Sequence, residues 1–316
     1  RPHSSLGKKE MQDRISGYQW RQLVAITFAH AVVDLYIGCL TPILIPMRTR
    51  YGLSLPWLIF VATLMGFSSY VFQIVIGNIR AQWTSCGLII AGLFCGGTAV
   101  LVPNLPIGET AIYSMSAVAL LAGFGVAAVH PEGLRAVQGL TRIPSAVATP
   151  FFMVFGFLGF ASGAWVSTAM TERAGLSSLL WLYALAPIAS VLLLVFRVKL
   201  PKEQGAAGND QRAAAEKMPR YPFWPLFVVA SLLAVASQIQ ATLLPSYLHD
   251  NLHYSLSFSG LSFTLFGFGG MVGSLFWGVM SKRWNISGIM TGVTVAGVPL
   301  TLVYLLIAPT SVWAAA

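Results

Sequence analysis

Nine apolar stretches, nearly all without a charged residue, run along the chain at residues 20–46, 57–79, 83–102, 110–129, 146–170, 176–196, 223–244, 258–280 and 286–308. A bilayer core of about 30 Å is crossed by about 20 residues of helix. Open strands would leave backbone N–H and C=O groups unpaired in lipid, so helix is the conformation expected for each stretch. The chain therefore reads as an all-α, polytopic membrane protein. Only 9% of its 316 residues are charged and 56% are hydrophobic, with a mean hydropathy of +0.73. Soluble domains carry about 25% charged residues.

The formal net charge of +9 marks topology rather than nucleic-acid binding, because the basic residues fall in short segments between spans. With the N-terminus in the cytoplasm, the outer loops hold only Arg48, Arg50 and Arg173 of the 19 Lys and Arg. The positive-inside rule thus predicts a cytoplasmic N-terminus in an inner (plasma) membrane. Cys39, Cys86 and Cys95 all lie in apolar stretches and read as packing residues rather than a disulfide framework.

Shifted by 201 positions, the chain matches itself. Ser54, Leu55, Thr63, Leu64, Gly66, Phe67, Val71, Gly77 and Trp83 meet Ser255, Leu256, Thr264, Leu265, Gly267, Phe268, Val272, Gly278 and Trp284. The second span therefore repeats as the eighth, with six spans per copy. The longest polar segment, 199–222, lies between the copies and reads as a flexible cytoplasmic linker. The expected organisation is a tail at 1–19, a six-helix bundle at 20–199, a linker at 200–222, and helices seven to nine of a second bundle at 223–316. Two parallel six-helix bundles resemble the layout of the major facilitator fold. The second bundle is three helices short, and the sequence looks like an excerpt of a longer protein.

Ionisable residues inside a span are costly and are candidates for function by default. His30 and Asp34, four residues apart on the first span, share one helix face. They suit proton binding and release, or a structural link between helices. His130, Glu132 and Arg135 sit at the end of the fourth span, where Pro131 is expected to bend or stop the helix. They suit an inner gate or proton path, or a capped helix end. Gln238, in the seventh span, suits a cavity wall or an interhelical hydrogen bond. His249, Asp250 and His253 read as a wet loop rather than a zinc site. No phosphate-cradling loop, nucleophile elbow or metal-ligand spacing is recognisable, so neither an enzyme nor a cofactor is expected.

The pattern His30, Asp34-Leu35-Tyr36, Pro42, Pro46 and Gly52-Leu53-Ser54, together with His130-Pro131-Glu132 and Gly156, Gly159 and Gly163, resembles the fosmidomycin-resistance family of the major facilitator superfamily. The resemblance covers about residues 25–165. It implies twelve helices around a central cavity and proton-coupled export of small organic molecules, including an antibiotic. Carried onto this chain, it gives proton coupling to His30 and Asp34 and gating to His130 and Glu132. The chain departs from the superfamily's loop between helices two and three. Ala81 and Gln82 follow Gly77, and Lys282 and Arg283 follow Gly278, with no acid in either copy. After Gly163, Ala164 stands where a proline is common. The expectation is a monomeric, proton-coupled exporter whose partners are a small solute, protons and the lipid bilayer. An uptake symporter and a non-transporting receptor or scaffold on the same fold are the alternatives.

Overall fold

The computed structural model describes residues 3–79, 84–202, 243–280, 283 and 286–310. The described residues are helical almost throughout, and seven helical stretches are long and apolar enough to cross a membrane. Most of the expected seventh span, Gln238 included, and most of the linker lie outside the described residues.

Helix α1 spans His3–Leu40, beginning well before the first apolar stretch. Pro42 has no N–H to offer the carbonyl of Gly38, and the helix tightens there into a 3-10 turn, Thr41–Ile43. Helix α2, Leu44–Tyr51, continues it and ends at Gly52, whose φ of 63° is cheap only for glycine. Helix α3 is Leu55–Ile79 and α4 is Gly87–Gly97. A 3-10 segment, Thr98–Asn104, containing Pro103, completes the span that α4 begins.

Helix α5 runs Ala111–Gln138 and corrects one expectation. Pro131 neither ends the helix nor leaves His130 at its tip. The turns beyond it bury Glu132, Gly133, Ala136 and Val137, and this packing outweighs the lost backbone bond. Helix α6 is Ser145–Ala174. The sixth span divides into a 3-10 segment, Leu176–Ala184, and α7, Leu185–Val195. A π-turn at Tyr247–Asn251 precedes α8, Leu256–Met280, and α9 is Ile286–Ile307. Moving the bounds of α3 by 201 positions gives those of α8, so the repeat seen in sequence is also a repeat of helices.

Helix α1 lies at the centre, packed on α4, α5, α6 and α7. Helix α3 packs on α5, and α8 packs on α6. The contact of α1 with α6 is close because small residues face backbone. A Cβ on Gly159 would overlap the Ala31 backbone, and one on Gly163 the Leu35 carbonyl. Such contacts hold helices together in lipid, where no hydrophobic force distinguishes neighbour from solvent. The buried Tyr36 donates its hydroxyl to the Leu182 carbonyl at 3.1 Å, tying α1 to the sixth span. Large side chains on the outer faces, including Tyr70, Ile74, Tyr113 and Trp181, are exposed, as suits contact with lipid tails.

At the end of the bundle that holds residues 18–22, backbone and amide groups stitch the loops together. The Gln19 side chain accepts from the Arg142 N–H at 2.7 Å, and the Tyr18 hydroxyl donates to the Phe196 carbonyl at 2.7 Å. Ser85 and Lys199 form an antiparallel bridge, and the Leu200 N–H donates to the Thr84 carbonyl at 2.9 Å.

Candidate functional site

The site begins with the four-residue spacing of His30 and Asp34. One turn of α1 brings the His30 Nε2 to 3.1 Å from Asp34 Oδ2, with both residues buried. Helix α5 supplies the third member. His130 Nε2 lies 3.2 Å from Asp34 Oδ1, so the two carboxylate oxygens are taken by two different imidazoles. The rings cross edge to face at 88°, with centroids 4.9 Å apart.

Helix α6 forms the floor. The Phe152 ring stacks on His30 at 3.9 Å and 10°. One turn along, Gly156 presents bare backbone to both residues. A Cβ there would overlap the His30 ring and come within 2.7 Å of Asp34 Oδ2. A side chain at 156 and this arrangement of α1 exclude one another.

The hydrogen bonds fix the tautomers. His30 Nδ1 is 2.9 Å from the Phe152 carbonyl, and His130 Nδ1 is 2.9 Å from the Val126 carbonyl. A carbonyl oxygen only accepts, so each Nδ1 carries a hydrogen. Both Nε2 atoms are thereby directed at Asp34. A ring nitrogen and a carboxylate oxygen at these distances form a hydrogen bond only when a proton lies between them.

Glu132 and Arg135 pair with each other across one turn of α5, Oε1 to an Arg135 guanidinium nitrogen at 3.3 Å, as their spacing predicts. The two ionisable side chains of the triplet His130-Pro131-Glu132 have different partners. His130 turns to Asp34 and Glu132 to Arg135. Gln238 lies outside the described residues. His249 and Asp250 do not converge on a common point. His249 Nδ1 donates to the Tyr254 carbonyl at 2.8 Å, and Asp250 pairs with Arg48 at 3.2 Å.

Among the described residues, His30, Asp34 and His130 form the one group of three whose ligand-type atoms lie within 4.8 Å of each other. Spacing along the chain gave no hint of such a set. Each Asp34 oxygen faces its own ring nitrogen at hydrogen-bond distance, an arrangement that suits shared protons. The meeting of His130 with Asp34 depends on the packing of α5 against α1, which a sequence without covariation does not encode. The glycine at 156 was legible as a packing residue but not as the floor of a site.

A sequence profile described as the Major Facilitator Superfamily matches residues 26–316. No curated protein matches the chain significantly.

Proposed function

The chain belongs to the Major Facilitator Superfamily, whose members are secondary transporters, and on that premise we propose that it exports a small organic solute in exchange for protons. The observation that carries this reading is Asp34, held between two imidazoles within spans otherwise almost free of charge. An ionisable group so placed is expensive in a bilayer and is retained where protons or ions must cross. Imidazole is the side chain that exchanges protons near neutral pH. The resemblance to fosmidomycin-resistance proteins supports export as the direction and an amphiphilic small molecule as the solute. The charge distribution supports a cytoplasmic N-terminus in an inner (plasma) membrane, and we take the protein to work as a monomer.

Alternating access needs two halves that touch at one end and part at the other. We take residues 20–199 as the first half, residues 200–222 as the linker, and residues from 223 as part of the second. The packing of α8 on α6 supports such motion. Contact runs from the Ser257 N–H on Glu172 at 3.2 Å, through Gly260 on Thr168, to the Thr264 hydroxyl on the Ala161 carbonyl at 2.6 Å and Gly267 on Ala161. Beyond Gly267, Val272 and Leu275 are exposed, and a Cβ on Gly269 or Gly273 would meet no described atom within 4 Å. This fits a molecule sealed at the Arg48 end and open toward the end that holds residues 18–22.

The test is proton movement in vesicles containing the protein, with and without Asp34→Asn, across a panel of amphiphilic solutes. Solute-dependent proton flux that the variant loses is the expected result. Equal flux from both proteins would remove Asp34 from the proton path. Solute movement that ignores the proton gradient would overturn coupling altogether.

A further inference from the structure

The sequence pairs His30 with Asp34 and leaves His130 to an inner gate or a proton path. We propose that His130 is a proton-operated arm, which holds Asp34 when the cluster carries two bridging protons and swings away when it carries one. This rests on the transport reading above and assigns the order in which its site releases protons.

The argument is a count. Both Nδ1 hydrogens are committed to carbonyls, so the two Nε2–carboxylate contacts can be satisfied only by one bridging proton each. The arrangement therefore holds two exchangeable protons and a net charge of +1. Remove one, and one contact sets a ring lone pair against a carboxylate lone pair at about 3 Å, which is repulsive. That contact must break.

The surroundings decide which one breaks. The His30 side chain is 2% exposed, stacked on Phe152 and backed by Gly156, and it has nowhere to turn. The His130 side chain is 28% exposed and so has an open side to which its ring can turn, giving up the Val126 carbonyl. The protonated His30–Asp34 pair is neutral as a unit, whereas a discharged His30 would leave a buried carboxylate oxygen and a buried ring nitrogen without a proton between them. The first proton therefore leaves through His130 to water, and the second stays between His30 and Asp34.

Few other charges compete at this level. Among the described residues, α3 and α4 carry no Asp, Glu, Lys, Arg or His, and those of α6 are Glu172 and Arg173 at its far end. On α5 itself, Glu132 and Arg135 pair with each other at 3.3 Å, and on α1 Arg21 lies more than two turns from His30. Among the described residues, the arm is thus governed by Asp34 and by the protons on the two rings.

The experiment is nitrogen-15 NMR of the full chain labelled at histidine in lipid nanodiscs, with His30→Gln and His130→Gln for assignment. As pH rises, His130 is expected to become neutral, losing one of its two ring hydrogens and its fixed tautomer, while His30 keeps hydrogens on both Nδ1 and Nε2. Loss from His30 first, or from both rings at the same pH, would overturn the arm. Phe152→Leu removes the stacking ring and no ionisable group, and it should bring the two losses together. An unchanged gap would overturn the anchoring argument. These readings need no solute. The expected order combined with no proton flux in vesicles would keep the arm and sink the transport reading, and the reverse pairing would do the opposite.

Discussion

At the scale of single residues, Gly156 carries as much of the site as the groups that titrate. Gly156→Ala removes no charge and no hydrogen bond, yet its methyl group would occupy the space of the His30 ring. Overpacking of this kind costs about 1–3 kcal/mol. The expected outcome is a folded protein with a lowered melting temperature in detergent and no proton-coupled flux. Full coupling in that variant would show that the three side chains need not meet. The Glu132–Arg135 pair gives a second case. Both side chains are nearly inaccessible, so Arg135→Ala takes a charge partner from a buried carboxylate and should lower the melting temperature. Arg135→Ala combined with Glu132→Gln should recover much of that loss, read by thermal unfolding of each variant. His30 and Asp34 were legible from the sequence because both partners of that contact sit on one helix. The contact of His130 with Asp34 was not legible, because it depends on the packing of α5 against α1, and Pro131, which could bend or end a helix, here lies within one.

At the scale of elements, the spacing of α1 and α6 is set by glycines that meet backbone rather than flexible side chains. Gly159→Ala and Gly163→Ala each force a methyl group against a main-chain carbonyl that has no rotamer to change. Each should destabilise the bundle by about 1–3 kcal/mol. Gly66→Ala, where nothing lies within 4 Å of the added carbon, should be close to neutral and serves as the control in the same unfolding assay. The helices themselves were readable because apolar length is a direct consequence of bilayer thickness. The equivalence of α3 and α8 was readable because a repeat of sequence preserves the positions of glycine and phenylalanine. The 3-10 segments at Thr98–Asn104 and Leu176–Ala184 were not. Hydropathy does not distinguish one helical pitch from another.

At the scale of the molecule, one ion pair links the α2 end of the chain to the segment ahead of α8. Arg48 reaches Asp250 at 3.2 Å in a partly exposed setting, where such a pair contributes about 0.2–1 kcal/mol. That is enough to bias two access states of similar energy without fixing either. Arg48→Asp should raise the labelling by a water-soluble thiol reagent of a cysteine introduced at Ser257, and Arg48→Asp with Asp250→Arg should restore the original level. Equal labelling in all three proteins would show that the pair does not hold this end closed. The two partners are distant in sequence, and neither belongs to a motif, so only the fold brings this contact to light.

The stitched loops at the opposite end have a consequence for how the chain can be handled. Val198 and Leu200 are buried, Leu200 is bonded to Thr84, and Pro201 rests where a side chain on Gly139 would sit. The polypeptide thus leaves the first six spans from a moored berth. A fluorescent protein or epitope spliced in after Gly205 leaves that mooring untouched, whereas the same insert at Lys199 casts it off. The few residues from Val198 to Pro201 mark where the molecule stops tolerating cargo.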